Sequence, residues 1–180
     1  MRKYLAIPLA LCCAGCAPTP SWYGVPAQHK PFVDKVPQVV SIPEFGEFVR
    51  SEETDAERYF IKDVKGLEGT WRWTFAEPEF RFFIRPTGKS RKFHLELGIN
   101  DRTFKDTGPV NLVITVNGKV LGRPTFTKFG DQTWEADVAP DMLLPDSENR
   151  VLIKVLNPWQ AADPGVRLGF LLHAVGFLSQ

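Results

Sequence analysis

Two short runs in the middle of the chain alternate with a period of two. Residues 79–85 read EFRFFIR, with Phe80, Phe82 and Ile84 alternating with Arg81, Phe83 and Arg85. Residues 92–97 read KFHLEL, with Phe93, Leu95 and Leu97 on one face and Lys92, His94 and Glu96 on the other. A period of two buries one face of an extended strand and leaves the other in water. Residues 110–116 and 150–156 read the same way, and 58–63, 70–75, 125–129, 133–138 and 166–178 are further strands. The last must contain a break, near His173 or Gly176. Glu77-Pro78-Glu79 reads as a turn between two strands, and its paired carboxylates as a solvated turn rather than a glycosidase pair. Asn117-Gly118, between VITV and KVLG, predicts a type I′ hairpin, whose two central residues need positive φ. No long amphipathic helix is present, and 139–144 is a single short turn. Eight or more short strands with turns at this spacing predict an all-β sandwich or barrel.

The cysteines say where such a domain would work. All three, Cys12, Cys13 and Cys16, lie near the start of the chain. Before them, Arg2 and Lys3 precede an apolar stretch over 4–13, and Ala14 and Gly15 are small. This is the layout of a secretory signal. The stretch is too short to cross a bilayer, which takes about 20 residues. Cleavage after Gly15 would leave Cys16 first. The segment resembles the lipobox of bacterial lipoproteins, with Cys13 where Leu is usual. The plainer alternative is an ordinary secretory signal with incidental cysteines. The lipobox resemblance implies that residues 1–15 are removed and that Cys16 carries acyl chains, palmitate among them, which anchor the protein in a membrane. Ala17 stands where Asp would signal inner-membrane retention in a Gram-negative cell, so outer-membrane sorting is implied there. A body without cysteines has no disulfides, and its core must hold it together.

Loss of residues 1–15 takes Arg2 and Lys3 from 22 basic side chains and none from 21 acidic ones, leaving a net charge of −1. A nucleic-acid binder would show a marked basic excess. Residues 16–43 contain Pro18, Pro20, Pro26, Pro31, Pro37 and Pro43 and read as an extended Pro-rich tether, a semi-rigid spacer of about 3 Å per residue. Trp22, Tyr23, Phe32 and Val33 make it stickier than a pure linker. The sandwich is expected over 44–180.

The runs VITVNGKVLG, DVAPDMLLPDSENRVLIKVLNP and DPGVRLGFLLHAVGF occur in that order, with EGTWRWTF upstream. Over about residues 66–178 they resemble the jelly-roll modules of the galactose-binding-like class, found as accessory domains of bacterial glycosyltransferases and glycoside hydrolases. The resemblance implies a jelly-roll-like antiparallel β-sandwich. Too few residues lie outside the module for a catalytic partner domain, so no enzyme is expected. Resemblance and address together imply a non-catalytic, lipid-anchored envelope protein that binds carbohydrate or is associated with envelope polysaccharide. The alternative is a structural lipoprotein that docks an envelope protein complex through its sandwich.

Individual residues refine this expectation. The sequence holds no HExxH and no GxSxG, and His29, His94 and His173 show no metal spacing. No cofactor or metal is expected. Asn100, Asp101 and Asp106 are oxygen-rich, but Arg102 and Lys105 intrude on a calcium loop, and a polar loop is the default. Arg81, Arg85, Lys89, Arg91 and Lys92 form a local basic group suited to an acidic polysaccharide or lipid phosphates, or simply a charged face. An aromatic ring can stack on the apolar face of a sugar. Trp159 is the leading candidate contact because it sits in the NPWQ loop, with Asp163 and Arg167 beside it. Trp71 and Arg72, in EGTWRWTF, complete the candidate set. Asp163 and Arg167 would otherwise brace the last loop as an ion pair.

Overall fold

A computed structural model of the chain describes residues 45–86 and 88–180. Cys16, the signal over 1–15 and the tether over 16–43 lie outside these described residues. The described residues fall in one compact unit. Its strands are β1 (Phe48–Arg50), β2 (Phe60–Glu68), β3 (Trp71–Ile84), β4 (Arg91–Ile99), β5 (Val110–Val116), β6 (Lys119–Gly122), β7 (Thr125–Phe126), β8 (Gly130–Val138), β9 (Ser147–Val155), β10 (Trp159–Gln160) and β11 (Arg167–Ser179), with one α-helix, α1 (Asp101–Thr107), and two short 3-10 turns, Ala56–Tyr59 and Pro140–Met142. The main ladder runs β6-β5-β9-β3-β11-β4-β8, and its pairs are antiparallel. The architecture is an all-β, jelly-roll-like sandwich.

The alternation of the sequence builds the core. Phe80, Phe82 and Ile84 of β3, Phe93, Leu95 and Leu97 of β4, Leu112, Ile114 and Val116 of β5, and Val151, Ile153 and Val155 of β9 are all buried. Phe177 of β11 meets Phe82 and Phe93 edge-on, with ring centroids 5.5 Å apart in both pairs. Full burial of one such ring contributes about 1.5–3 kcal/mol. The predicted hairpin is present: Asn117 and Gly118 have φ of 49° and 81° between β5 and β6, as a type I′ turn requires.

Two expectations need correction. The Glu77-Pro78-Glu79 step is not a turn, because β3 runs through it unbroken. Proline lacks the N–H that a ladder needs, yet here the strand is exchanging partners. Its pairing with β11 ends at Phe75 and its pairing with β9 begins at Glu79. Pro78 sits buried in that gap. Glu77 and Glu79 are ion-paired, Glu77 with Lys154 at 3.0 Å and Lys62 at 3.8 Å, and Glu79 with Arg150 at 3.7 Å. The polar run after Asn100 is likewise not a loop but α1. Asn100 Oδ1 accepts from Arg102 N at 2.9 Å, which caps the helix, and Lys105 reaches Asp101 at 2.9 Å one turn away. Gly108, at φ 72°, ends it. The helix has only seven residues, too few for periodicity to reveal.

The break expected near His173 or Gly176 is a bulge inside β11. Its register with β4 shifts between Leu172 and Ala174. Gly176 has φ 149°, and a side chain there would run into the backbone of Glu47 and Phe48. Strand β1 pairs at this point, Phe48 opposite Gly176, and needs the close approach that only glycine allows.

Candidate functional site

The bulge in β11 opens a cleft on the outer face of the layer formed by β1, β11, β4 and β8. An extra residue in a strand re-aims a side chain, and here that residue is His173. Its carbonyl accepts from Ser51 N at 2.8 Å, tying the end of β1 to the bulge. Its imidazole packs over Gly98 of β4, where a Cβ would lie 2.9 Å from Nε2. Glycine at 98 therefore makes the space for the ring. Across β4, Gly98 pairs with Asp131 and Glu96 with Thr133 of β8. Arg50 and Glu52 flank the cleft from the β1 side, Thr70 from the turn before β3, and Asp131, Gln132 and Thr133 from β8. The volume is about 270 Å³, near the small end of the ~300–1,000 Å³ range of ligand pockets. It suits one small ring better than an extended cofactor.

The walls are mostly polar. Arg50 Nη1 lies 3.4 Å from Glu96 Oε2. Glu96 Oε1 lies 2.9 Å from His94 Nε2, and His94 Nδ1 lies 2.9 Å from Glu135 Oε1. Lys92 closes the row, 3.1 Å from Glu135 Oε2. The hydrogen bond to His94, and next that to Lys92, holds the Glu135 carboxyl below the usual carboxylate range. These neighbours along β4 and β8 keep Glu96 extended toward the cleft. His173 Nε2 differs from them. It is shielded from solvent and has no hydrogen-bond partner among the described residues. Asp131 Oδ1 is 3.4 Å away. The Asp131 side chain is 90% exposed, so its carboxylate is open to a ligand hydroxyl at the mouth of the cleft.

The residues singled out from sequence divide into two groups. Trp159, Asp163 and Arg167 come together around β10, with Gln160 opposite Arg167. Trp159 is already engaged: Nε1 donates to Asp106 Oδ2 at 2.7 Å, and the Arg102 guanidinium lies 5.6 Å from its ring centroid. The carbonyl of Asp163 accepts from Val166 N at 3.2 Å, and among the described residues no ion pair joins Asp163 to Arg167. Arg72 and Trp71 lie farther along the sheet, with Arg72 opposite Leu172 of β11 and Trp71 opposite Glu68 of β2. Arg72 is buried. Its Nε donates to Ser51 O at 2.9 Å, Nη1 lies 3.3 Å from Glu57 Oε1, and the guanidinium stacks 5.2 Å from the Phe60 ring centroid. It supports the cleft from behind, because Ser51 joins the two cleft residues Arg50 and Glu52. Trp71 follows Thr70, whose carbonyl accepts from Ser51 Oγ at 2.9 Å.

The cleft itself went unseen in the sequence. Residues 48–52 carry no alternation long enough to read as a strand, and His94 and His173 showed no useful spacing. Two signals were available, the break in the last strand and the glycine closing KFHLELG. The basic group also disperses. Arg91 is buried against Glu47 at 2.9 Å, Lys92 serves Glu135, and Arg81 donates to Arg58 O at 2.6 Å and lies over Phe45. Asn100, Asp101 and Asp106 are all occupied within the protein. Among the described residues no group of three or more acidic, His or Cys side chains is placed to hold a metal.

No protein-family model matches the chain, and no curated protein sequence does. Solved structures with similar folds include a family 35 carbohydrate-binding module from Paenibacillus barcinonensis, at 14% identity and a TM-score of 0.44, covering 75% of this chain and 100% of that one. A family 35 module from an environmental isolate has 11% identity and a TM-score of 0.43, covering 74% and 96%. A family 36 module in complex with calcium and xylotriose has 8% identity and a TM-score of 0.41, covering 73% and 98%. At these identities no residue of the cleft is carried over from them.

Proposed function

We propose that this protein is a non-catalytic, lipid-anchored component of the cell envelope that binds polysaccharide in the cleft between β1, β11, β4 and β8. The observation that carries the reading is the mixed polar wall of the cleft, in which His173 lies 3.4 Å from Asp131 and the donors Arg50 and Gln132 stand beside the acceptor Glu52. Sugar hydroxyls both donate and accept, and a wall that mixes the two roles fits them. The carboxylates Glu52, Glu96 and Asp131 outweigh the single guanidinium of Arg50. An uncharged or amino-bearing sugar therefore suits the site better than a uronate. The envelope address comes from Cys16 and the segment before it.

The test is a titration of the full chain, purified in detergent, with neutral, amino-bearing and uronate-bearing polysaccharides, followed by calorimetry. Saturable binding of a neutral or amino-bearing glycan, lost in Gln132→Ala and kept in Trp159→Ala, is the expected result. Loss in Trp159→Ala alone would move the site to the β10 loop, and no binding to any glycan would sink the reading. The address has its own test. Metabolic labelling with an alkyne palmitate should mark the wild-type chain and leave Cys16→Ala unmarked.

A further inference from the structure

A second concavity lies at another place on the sandwich, where the link between β3 and β4 meets the segment between β8 and β9. Ile84, Val138, Pro140, Leu143 and Pro145 line it, and its volume is about 260 Å³. The lining is apolar, and Leu144 beside it leaves 52% of its surface in solvent. Arg85, Lys89 and Arg91 supply its cations. Arg91 is neutralised by Glu47. The exposed side chains of Arg85 and Lys89 have no carboxylate partner among the described residues. Most other cations of the domain are paired, among them Arg50, Lys62, Lys92, Lys105, Lys119 and Lys154. Of the acids at this end, Glu47 is taken by Arg91 and Asp141 by Lys119 at 2.7 Å, while Asp146 is exposed and Asp137 accepts from Gln180 Nε2 at 3.1 Å.

The chain also enters the domain here. Gly46 O accepts from Phe83 N at 3.0 Å, and Glu47 Oε1 accepts from Arg85 N at 2.9 Å and Arg91 Nη2 at 3.0 Å. Residues 17–44 join this end to Cys16. We infer that the groove and its two free cations form a docking surface for an anionic lipid bilayer. The apolar lining and Leu144 meet the acyl boundary, and Arg85 and Lys89 meet lipid phosphates. Apolar burial and attraction to anionic headgroups act together in such interfacial contacts. The inference rests on the envelope address proposed above, but the contact does not require the acyl anchor. A tethered domain with this surface would lie on the membrane rather than stand off it.

The experiment uses the full chain carrying Cys16→Ser, so that no acyl chain contributes. It is sedimented with vesicles of phosphatidylcholine alone and of phosphatidylcholine with phosphatidylglycerol. Binding is expected to the anionic vesicles, weaker at high salt. The Arg85→Glu/Lys89→Glu variant should reduce it by about tenfold or more, and Leu144→Ser should reduce it further. Arg123→Glu/Lys128→Glu makes the same change of net charge at exposed cations elsewhere and should leave binding in place. Equal loss in both double variants would mean bulk charge only. Equal binding to neutral vesicles would mean apolar adsorption only. Either of these, or no binding to anionic vesicles, overturns the inference. Palmitate labelling of the wild-type chain reports separately on the address. Unchanged melting temperatures of the exposed-site variants would show that the fold is intact.

Discussion

Asn149 is fully buried in β9 and makes four hydrogen bonds through one side chain. Its Oδ1 accepts from Leu144 N at 2.7 Å and Asn117 Nδ2 at 2.8 Å, and its Nδ2 donates to Leu144 O at 2.8 Å and Ser147 O at 3.0 Å. It thereby ties the β5–β6 hairpin to the segment that leads into β9. Asn149→Ala strips partners from the amide and carbonyl of Leu144 and from the carbonyl of Ser147. A buried group left unpaired costs about 1–3 kcal/mol. Leu144 and Ser147 are partly open to water, so the low end applies to each. The expected loss is about 3 kcal/mol, a large share of the ~5–15 kcal/mol that holds a domain together. Thermal unfolding followed by circular dichroism should show a midpoint lower by about 10 °C. Asn117→Gly keeps the positive φ of the turn but removes the bonds to Asn149 and to Met142 O. The two changes should couple by about 0.5–3 kcal/mol in a double-mutant cycle. A loss below about 1 kcal/mol for Asn149→Ala, or strict additivity of the pair, would refute the reasoning.

Other consequences follow from the same physics. Gly176→Ala forces a Cβ into the backbone of Glu47 and Phe48 at a φ that disfavours side chains, and urea denaturation should show a loss of about 2 kcal/mol or more. The carboxyls of Glu77, Glu135 and Asp141 are held below their usual range, chiefly by hydrogen bonds from Lys154, His94 and Lys119 respectively. A carboxyl lowered in the folded state contributes stability above its unfolded pKa, and that stability is lost as pH falls through the folded value. The denaturation midpoint should therefore be level at neutral pH and drop below about pH 4.5, less steeply in high salt; a level profile down to pH 3 contradicts this. Arg72→Ala should cost both stability and glycan affinity, because it frees Ser51 O behind the cleft; loss of stability with unchanged affinity would deny its supporting role.

Long alternating segments were legible because burial on one face leaves a period that needs no tertiary information. That is why β4, β5, β9 and the Asn117-Gly118 turn could be read directly. Pro78 misled because proline usually ends a strand, and only the exchange of β11 for β9 beside β3 explains its tolerance. The helix α1 was hidden by its length. Trp159 reads as an open platform until Arg102 and Asp106 arrive from α1, a residue separation of 53 for the second. The cleft was least legible, since its parts come from four strands and depend on a one-residue shift of register at His173 and on the missing side chain of Gly98.

The most direct measurement is amide and indole chemical-shift mapping by NMR as a neutral oligosaccharide is added to the protein. Saturable shifts at Glu52, Gln132, Thr133 and His173, with the Trp159 indole signal unmoved, are the predicted result. Shifts confined to Trp159, Asp163 and Arg167, or no shifts at all, would contradict binding in the cleft.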